Sequence, residues 1–190
     1  MIDIGTGDGR FVSGMARRRP DKFFIGVDAN VKPLEKPSMK ATRKPAKGGL
    51  PNALFVQAAV EDLPEEFDGV ADEIHIHFPW GSLLRAVANG DSEALAGLRR
   101  ISAPEALVEI VIGIDAVRDR GELERLGVPA MTPEYVDAEL RGKYAAAGLK
   151  MIDHRQLGAD EWPHLETTWA KKLGPGRGGR EVTLLVFRAS

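Results

Sequence analysis

Short runs of apolar residues, separated by polar and glycine-rich segments, recur along the whole chain and set its predicted architecture. Short runs rich in Val, Ile and Phe are typical of strands that are buried on both faces of a sheet. Seven such runs predict seven strands, at Met1–Ile4, Phe23–Val27, Ala53–Ala58, Glu73–Phe78, Ala106–Ile112, Leu149–Arg155 and Glu181–Arg188.

Segments with a helical pattern lie between most of these strands. We expect helices or helical turns at Arg10–Arg19, Ser38–Lys44, Val60–Phe67, Leu83–Arg100 and Thr132–Ala147. Pro33 and Pro37 argue against a continuous helix from residue 32, so the second helix is predicted to begin near Ser38. Strands that alternate with helices predict an α/β protein with a mostly parallel, seven-stranded sheet. Because no long helix separates the last two strands, the last strand is expected to be antiparallel.

A glycine-rich turn follows the first strand, and an acidic residue follows the second. Gly5, Gly7 and Gly9 occupy alternate positions, which lets the chain turn sharply and lets a ligand approach the backbone closely. Asp28 lies about 20 residues further on, where a carboxylate can bind both hydroxyls of a ribose. The combination predicts that a nucleoside-containing cofactor binds at the carboxyl ends of the first two strands. A sheet of this kind resembles the class I, Rossmann-like methyltransferase fold.

Length and composition fit one globular domain. The chain has 190 residues, of which 43% are hydrophobic and 28% are charged, so it can bury a full core. It contains no run of 18 apolar residues, no signal sequence and no cysteine. These features favour a cytoplasmic protein that has no disulfides and does not cross a membrane. Since the first strand begins at Met1, we expect that a short segment precedes it.

The four histidines do not predict a metal site. His75 and His77 share one face of the fourth strand, but the sequence indicates no third ligand beside them, and His154 and His164 are isolated. The glycine turn also lacks the Lys-Ser/Thr ending of a phosphate-binding loop. We therefore expect a protein without a bound metal.

Two segments concentrate positive charge, although the formal net charge of the chain is −2. Residues 32–47 contain six basic residues and one acidic residue, and residues 169–180 contain four basic residues and no acidic one. Two basic segments on an acidic body suggest that a polyanion binds against one face. They lie in two long connections, about 29–52 and 156–180, which we expect to be RNA-binding insertions in a single domain of residues 1–190.

Two tryptophans lie where an aromatic ring could contact a nucleic-acid base. Pro79 and Trp80 form a rigid tip after the fourth strand, next to the predicted cofactor turn, and Trp169 is followed closely by two lysines in the second insertion. Stacking on a base contributes about 1–3 kcal/mol. Trp80 and Trp169 together suggest a sandwich around one extruded base.

Four segments in order along nearly the whole chain resemble the aminoglycoside-resistance 16S rRNA (adenine-1408-N1)-methyltransferases of the Kam and Npm type. They are Asp3–Gly9, Lys44–Asn52, Pro79–Arg85 and Thr168–Leu173. The first is shared by many methyltransferases, whereas the second and third are specific. The resemblance implies S-adenosylmethionine as cofactor and 16S rRNA within the 30S subunit as substrate. We expect the enzyme to be a monomer.

The resemblance also implies roles for individual residues. Those expected at the cofactor are Asp3, Gly5, Gly7, Asp28, Ala59, Glu61, His77, Ser82 and Thr167. Those expected to hold the flipped adenine are Pro79, Trp80 and Trp169. Those expected to bind ribosomal RNA are Lys40, Arg43, Lys44, Lys47, Lys171, Lys172, Arg177 and Arg180.

Other functions stay open on the sequence alone. A tRNA (guanine-N7)-methyltransferase also has a Phe-Pro-containing tip after its fourth strand, but this chain lacks the Asp-Pro step before Trp80 that such enzymes usually show. A small-molecule methyltransferase fits less well with two basic segments. A non-catalytic RNA-binding protein that retains the fold would differ in not binding S-adenosylmethionine.

Overall fold

One seven-stranded sheet forms the centre of the protein. The computed structural model describes residues 1–158, 161 and 180–190. The strand order is β3-β2-β1-β4-β5-β7-β6. The strands are β1 (Ile2–Ile4), β2 (Phe24–Asp28), β3 (Ala53–Gln57), β4 (Ala71–His77), β5 (Ser102–Ile114), β6 (Leu149–Leu157) and β7 (Glu181–Ala189). All seven predicted strands are present, with bounds that differ by a few residues.

The direction of the strands confirms the expected fold class. The first five strands pair in parallel, and β7 is antiparallel to both of its neighbours, β5 and β6. Parallel pairing brings the carboxyl ends of β1, β2, β3 and β4 to one edge of the sheet. Loops at that edge are therefore held close together by a rigid support.

Helices cover both faces of the sheet. They are α1 (Arg10–Arg18), α2 (Val31–Ala41), α3 (Gly81–Asn89), α4 (Ser92–Ile101), α5 (Arg120–Leu126), α6 (Pro133–Tyr135) and α7 (Arg141–Ala146). A π-helical segment, Val136–Leu140, joins α6 to α7, and 3₁₀ turns occur at Pro45–Lys47 and Glu65–Phe67. Among the described residues, no helix is both long and apolar enough to cross a membrane.

The second helix begins seven residues earlier than the prolines suggested. It starts at Val31, which places Pro33 in the first turn, where a backbone N–H has no partner within the helix. Pro37 lies inside the helix and is buried. A Cβ on Gly9 would approach the Pro37 ring to 2.9 Å, so α1 and α2 pack closely at this point. Packing of the two helices thus stabilises a proline that is unfavourable within an isolated helix.

The long helix predicted at Leu83–Arg100 is two helices. The first, α3, ends at Gly90, which has a φ of 65° in the left-handed region. The Asp91 side chain then caps α4 by accepting hydrogen bonds from the N–H groups of Glu93 and Ala94. The helix α5 was not predicted at all.

A close contact of α4 provides a stability test. A Cβ on Gly97 would lie 2.1 Å from the carbonyl oxygen of Val60, a backbone atom that cannot move aside easily. We expect Gly97→Ala to lower the free energy of unfolding by about 1–3 kcal/mol, because overpacking outweighs the better helix propensity of alanine. Urea denaturation measures this effect. Gly142→Ala is the matched control, since no atom lies within 4 Å of its Cβ position, and it should not be destabilising.

Candidate functional site

A cleft of about 620 Å³ lies at the carboxyl ends of β1, β2, β3 and β4. Eight of the nine residues expected at the cofactor line it, and Pro79 and Trp80 lie in its wall. The eight are Asp3, Gly5, Gly7, Asp28, Ala59, Glu61, His77 and Ser82. Thr167, Trp169, Lys171, Lys172 and Arg177 lie outside the described residues. The cleft also contains Thr6, Phe11 and Leu83, which the sequence did not single out.

The glycine turn after β1 forms the floor of the cleft. Gly5, Gly7 and Gly9 have φ values of 77°, 54° and 65°, a region that other residues rarely adopt. The N–H groups of Gly5 and Thr6 both donate to the Val27 carbonyl, at 2.8 and 2.9 Å, which ties the turn to β2. No atom lies within 4 Å of the position of a Cβ on Gly7. The backbone at Gly7 is therefore accessible to a ligand.

The carboxylate of Asp28 lies beside this turn. Its Oδ2 accepts a hydrogen bond from the Gly7 N–H at 2.9 Å, and its Oδ1 accepts one from the Asn30 N–H at 2.8 Å. These contacts fix the orientation of the carboxylate toward the cleft. Each oxygen retains a second lone pair that can accept a further hydrogen bond.

The segment after β4 has a strained conformation. Phe78 has a φ of 50°, which costs a residue with a side chain about 1–3 kcal/mol. Its ring is buried with Val111, Val182 and Leu184, and this packing holds the conformation. Trp80 is 42% exposed and lies at the mouth of the cleft. The tip thus combines a buried anchor with an exposed aromatic ring.

A buried polar cluster lies next to the cleft. His75 Nδ1 and His77 Nε2 are 3.2 and 2.9 Å from the same oxygen of Glu109, on β5. Burial favours the neutral form of Glu109, but the hydrogen bonds and charges of the two histidines outweigh it and hold the pKa of this carboxyl well below its usual range. Burial raises the pKa of Asp3, and the neighbouring His77 and Thr6 oppose this shift.

Glu109 is the third polar group of this cluster, and the sequence did not predict that it lies beside the histidines. It lies opposite His75 in the pairing of β4 with β5. A single acidic residue within the apolar run of the fifth strand was the available signal. The register of two parallel strands, which cannot be derived from local pattern, was needed to interpret it.

Four of the predicted RNA-binding residues form an exposed basic surface. Lys40 lies in the last turn of α2, and Arg43, Lys44 and Lys47 follow this helix. The helix has 11 residues, about 16 Å at 1.5 Å per residue, and it follows Asn30, which lines the cleft. The four residues themselves do not line the cleft.

Arg180 departs from its predicted role. Its Nη1 donates to Asp119 Oδ2 at 2.7 Å and to the Gly113 carbonyl at 2.8 Å. The side chains of Arg180 and Asp119 are only 14% and 11% exposed. This geometry is that of a structural ion pair that joins the start of β7 to the segment after β5, rather than a cation displayed to RNA.

Comparison with known proteins relates this geometry to a family. The family model described as NpmA, 16S rRNA (adenine(1408)-N(1))-methyltransferase, matches residues 1–188. A 16S rRNA (adenine(1408)-N(1))-methyltransferase from Streptoalloteichus hindustanus is 39% identical over 186 residues, which cover 97% of this chain and 85% of the relative. The chain belongs to the 16S rRNA (adenine(1408)-N(1))-methyltransferase family.

Solved structures of this family have the same fold. The aminoglycoside resistance methyltransferase NpmB1 is 52% identical, with a TM-score of 0.85 over 100% of this chain and 86% of that one. A W203A mutant of the 16S rRNA (adenine(1408)-N(1))-methyltransferase from Catenulisporales acidiphilia, solved with the cosubstrate SAM, is 36% identical. Its TM-score is 0.89 over 99% of this chain and 84% of that one. A family match over almost the whole chain favours this family over the tRNA (guanine-N7)-methyltransferases.

Proposed function

We propose that the chain transfers a methyl group from S-adenosylmethionine to N1 of adenine 1408 of 16S rRNA within the 30S subunit, and thereby confers aminoglycoside resistance. The observation that carries the proposal is that the glycine turn, Asp28 and Trp80 all face one cleft in a member of this family. The enzyme acts as a monomer in the cytoplasm, where its ribosomal substrate is found.

The residues around the cleft suit S-adenosylmethionine. The volume of the cleft is within the range of about 300–1,000 Å³ that is typical of small-molecule sites. In the proposed arrangement Asp3, Gly5 and Gly7 lie beside the methionine half, and the remaining lone pairs of Asp28 accept hydrogen bonds from the ribose hydroxyls. The other proposed contacts are Ala59 and Glu61 at the adenine, and His77, Ser82 and Thr167 in the pocket wall.

The chemistry requires alignment more than proton transfer. S-adenosylmethionine supplies a methyl group on a cationic sulfur, which becomes a neutral thioether as the positive charge passes to the adenine. Adenine N1 has a free lone pair at neutral pH, so the reaction needs no general base. The protein contributes by holding N1 in line with the methyl group and by excluding water. Pro79 sets the direction of Trp80, and Trp80 and Trp169 stack on the base and stabilise its developing positive charge through cation–π attraction.

The basic surface supports a large RNA substrate. Lys40, Arg43, Lys44 and Lys47 are exposed and belong to the proposed RNA-binding insertion of residues 29–52. None of these four residues lines the cleft, so an RNA that contacts both places must extend beyond the target nucleotide. A folded ribosomal RNA meets this requirement, whereas a free nucleoside does not. The insertion of residues 156–180, with Lys171, Lys172 and Arg177, supplies the proposed second RNA contact.

Methyl transfer to purified 30S subunits tests the proposed function directly. With labelled S-adenosylmethionine, we expect one methyl group per subunit and a primer-extension stop at adenine 1408. Bulk tRNA serves as the competing substrate, and label in tRNA alone would identify the (guanine-N7) alternative. Absence of S-adenosylmethionine binding in calorimetry would indicate a non-catalytic RNA-binding protein instead.

Binding to 30S subunits should depend strongly on salt. Phosphate contacts release counterions, so several contacts through the basic surface reduce affinity steeply as salt rises. Lys44→Ala should weaken binding and reduce the slope of log affinity against log salt by about 1. Lys150→Ala, an exposed lysine on β6, is the matched control and should leave the slope unchanged. Equal slopes for the wild type and the Lys44 variant would show that this lysine does not contact phosphate.

A further inference from the structure

Three potential metal ligands meet on β4 and β5, on the side of the sheet that α1 covers. We name His75, His77 and Glu109 the histidine–glutamate cluster. The two histidines are separated by one residue on β4, and Glu109 lies opposite His75 on β5. A ligand pair on one strand and a third ligand on its neighbour give a rigid platform, since main-chain hydrogen bonds fix the distance between the strands.

The ligand atoms are close enough to bind one ion. His75 Nδ1 and His77 Nε2 lie 3.2 and 2.9 Å from Glu109 Oε1. The candidate ligand atoms of the three residues all lie within 4.8 Å of one another. A tetrahedral Zn²⁺ with bonds of about 2.1 Å holds its ligands about 3.4 Å apart. The two nitrogen–oxygen distances need to open by only a few tenths of an ångström to reach this spacing, and the two nitrogens lie within 4.8 Å of each other.

The outer nitrogen of His75 lies near a carboxylate. A metal-binding histidine usually donates its other ring N–H to a carboxylate or carbonyl. His75 Nε2 lies 3.7 Å from Glu73 Oε2. Within the described part of the chain, His75 Nε2 and His77 Nδ1 are buried and lack a hydrogen-bond partner. A proton placed on His75 Nε2 by metal binding would thus have a carboxylate nearby.

The surroundings limit access of water to the cluster. The side chain of His77 is 2% exposed, that of His75 is 17% exposed and that of Glu109 is 32% exposed. The Phe11 ring lies 5.3 and 4.7 Å from the rings of His75 and His77. Solvent therefore reaches the cluster mainly from the side of Glu109, which leaves an entry path for an ion.

We propose that the histidine–glutamate cluster binds one Zn²⁺ ion through His75 Nδ1, His77 Nε2 and the Glu109 carboxylate. Two imidazoles and one carboxylate favour Zn²⁺ over Mg²⁺ and Ca²⁺, which prefer oxygen ligands. The ion would crosslink β4 to β5 behind the cleft wall. Methyl transfer needs no metal in the proposed mechanism, although His77 also lines the cleft.

Metal titration of the untagged, chelator-treated protein tests the site. Co²⁺ serves as a coloured probe, and Zn²⁺ affinity is measured by competition with a chromophoric chelator. We expect one ion per chain and visible absorption typical of four-coordinate Co²⁺. Glu109→Gln should weaken Zn²⁺ binding by about 100-fold or more, and Glu73→Gln by about 10- to 100-fold. His154→Asn, a histidine on β6, is the control and should retain wild-type affinity.

Two results would overturn the proposal. One is the absence of stoichiometric Co²⁺ or Zn²⁺ binding by the wild-type protein, which would leave the cluster as a metal-free hydrogen-bond network. The other is an unchanged Zn²⁺ affinity in both Glu109→Gln and His75→Asn. Circular dichroism and binding of S-adenosylhomocysteine show whether each variant is folded, so the second substitution decides the outcome if the first one unfolds the protein.

Discussion

Trp80→Ala is expected to lower the rate of methyl transfer to 30S subunits by about 10- to 100-fold. The exposed ring at the mouth of the cleft would lose its stacking contact with the target base, which contributes about 1–3 kcal/mol. Single-turnover methylation with saturating S-adenosylmethionine measures the effect. Affinity for S-adenosylmethionine, measured by calorimetry, should change little.

Two further variants separate stacking from other effects. Trp80→Phe retains an aromatic face and should recover most of the lost rate. Phe23→Ala removes an aromatic ring that is 50% exposed before β2, at the opposite end of this strand from the cleft, and should methylate at the wild-type rate. A Trp80→Ala enzyme with wild-type turnover would rule out the stacking role.

Asp28→Ala is expected to weaken S-adenosylmethionine binding by about 10- to 100-fold. Hydrogen bonds to a charged group contribute about 1.5–3 kcal/mol, and the variant also loses the acceptors of the Gly7 and Asn30 N–H groups. Calorimetric titration of the variant measures the loss. Asp72→Ala, an exposed carboxylate near the start of β4, should bind with wild-type affinity.

A ligand analogue distinguishes direct contact from support of the turn. If Asp28 binds the ribose, an S-adenosylhomocysteine analogue without ribose hydroxyls should bind weakly to the wild type and lose little more in Asp28→Ala. Additive losses would instead mean that the carboxylate acts only by holding the glycine turn.

Features that depend on local pattern could be predicted from the sequence. The apolar runs predicted the strands, because buried parallel strands carry a continuous apolar signal. The glycine turn and Asp28 were predicted to lie next to each other at one cofactor site, because parallel strands bring their carboxyl ends to one edge of the sheet. The antiparallel direction of β7 was predicted because the sequence between the last two strands shows no long helical pattern.

Features that depend on long-range packing could not be predicted from the sequence. The helix α2 starts at Val31 and so includes Pro37, which lies close to Gly9, the residue before α1, and no local propensity describes this contact. Glu109 faces two histidines only through the register of β4 with β5. From the sequence, Arg180 was interpreted as a free cation, because its partner Asp119 lies 61 positions away in sequence.

The buried anchor of the β4 tip links the proposed methyl-transfer site to the protein interior. Phe78 holds the direction of Pro79 and Trp80, and its ring packs on Val182 and Leu184 of β7. Conservative changes in β7 would therefore shift the aromatic tip without touching the cofactor. If the proposed function holds, selection for altered aminoglycoside tolerance should recover such interior positions, together with substitutions on the basic surface.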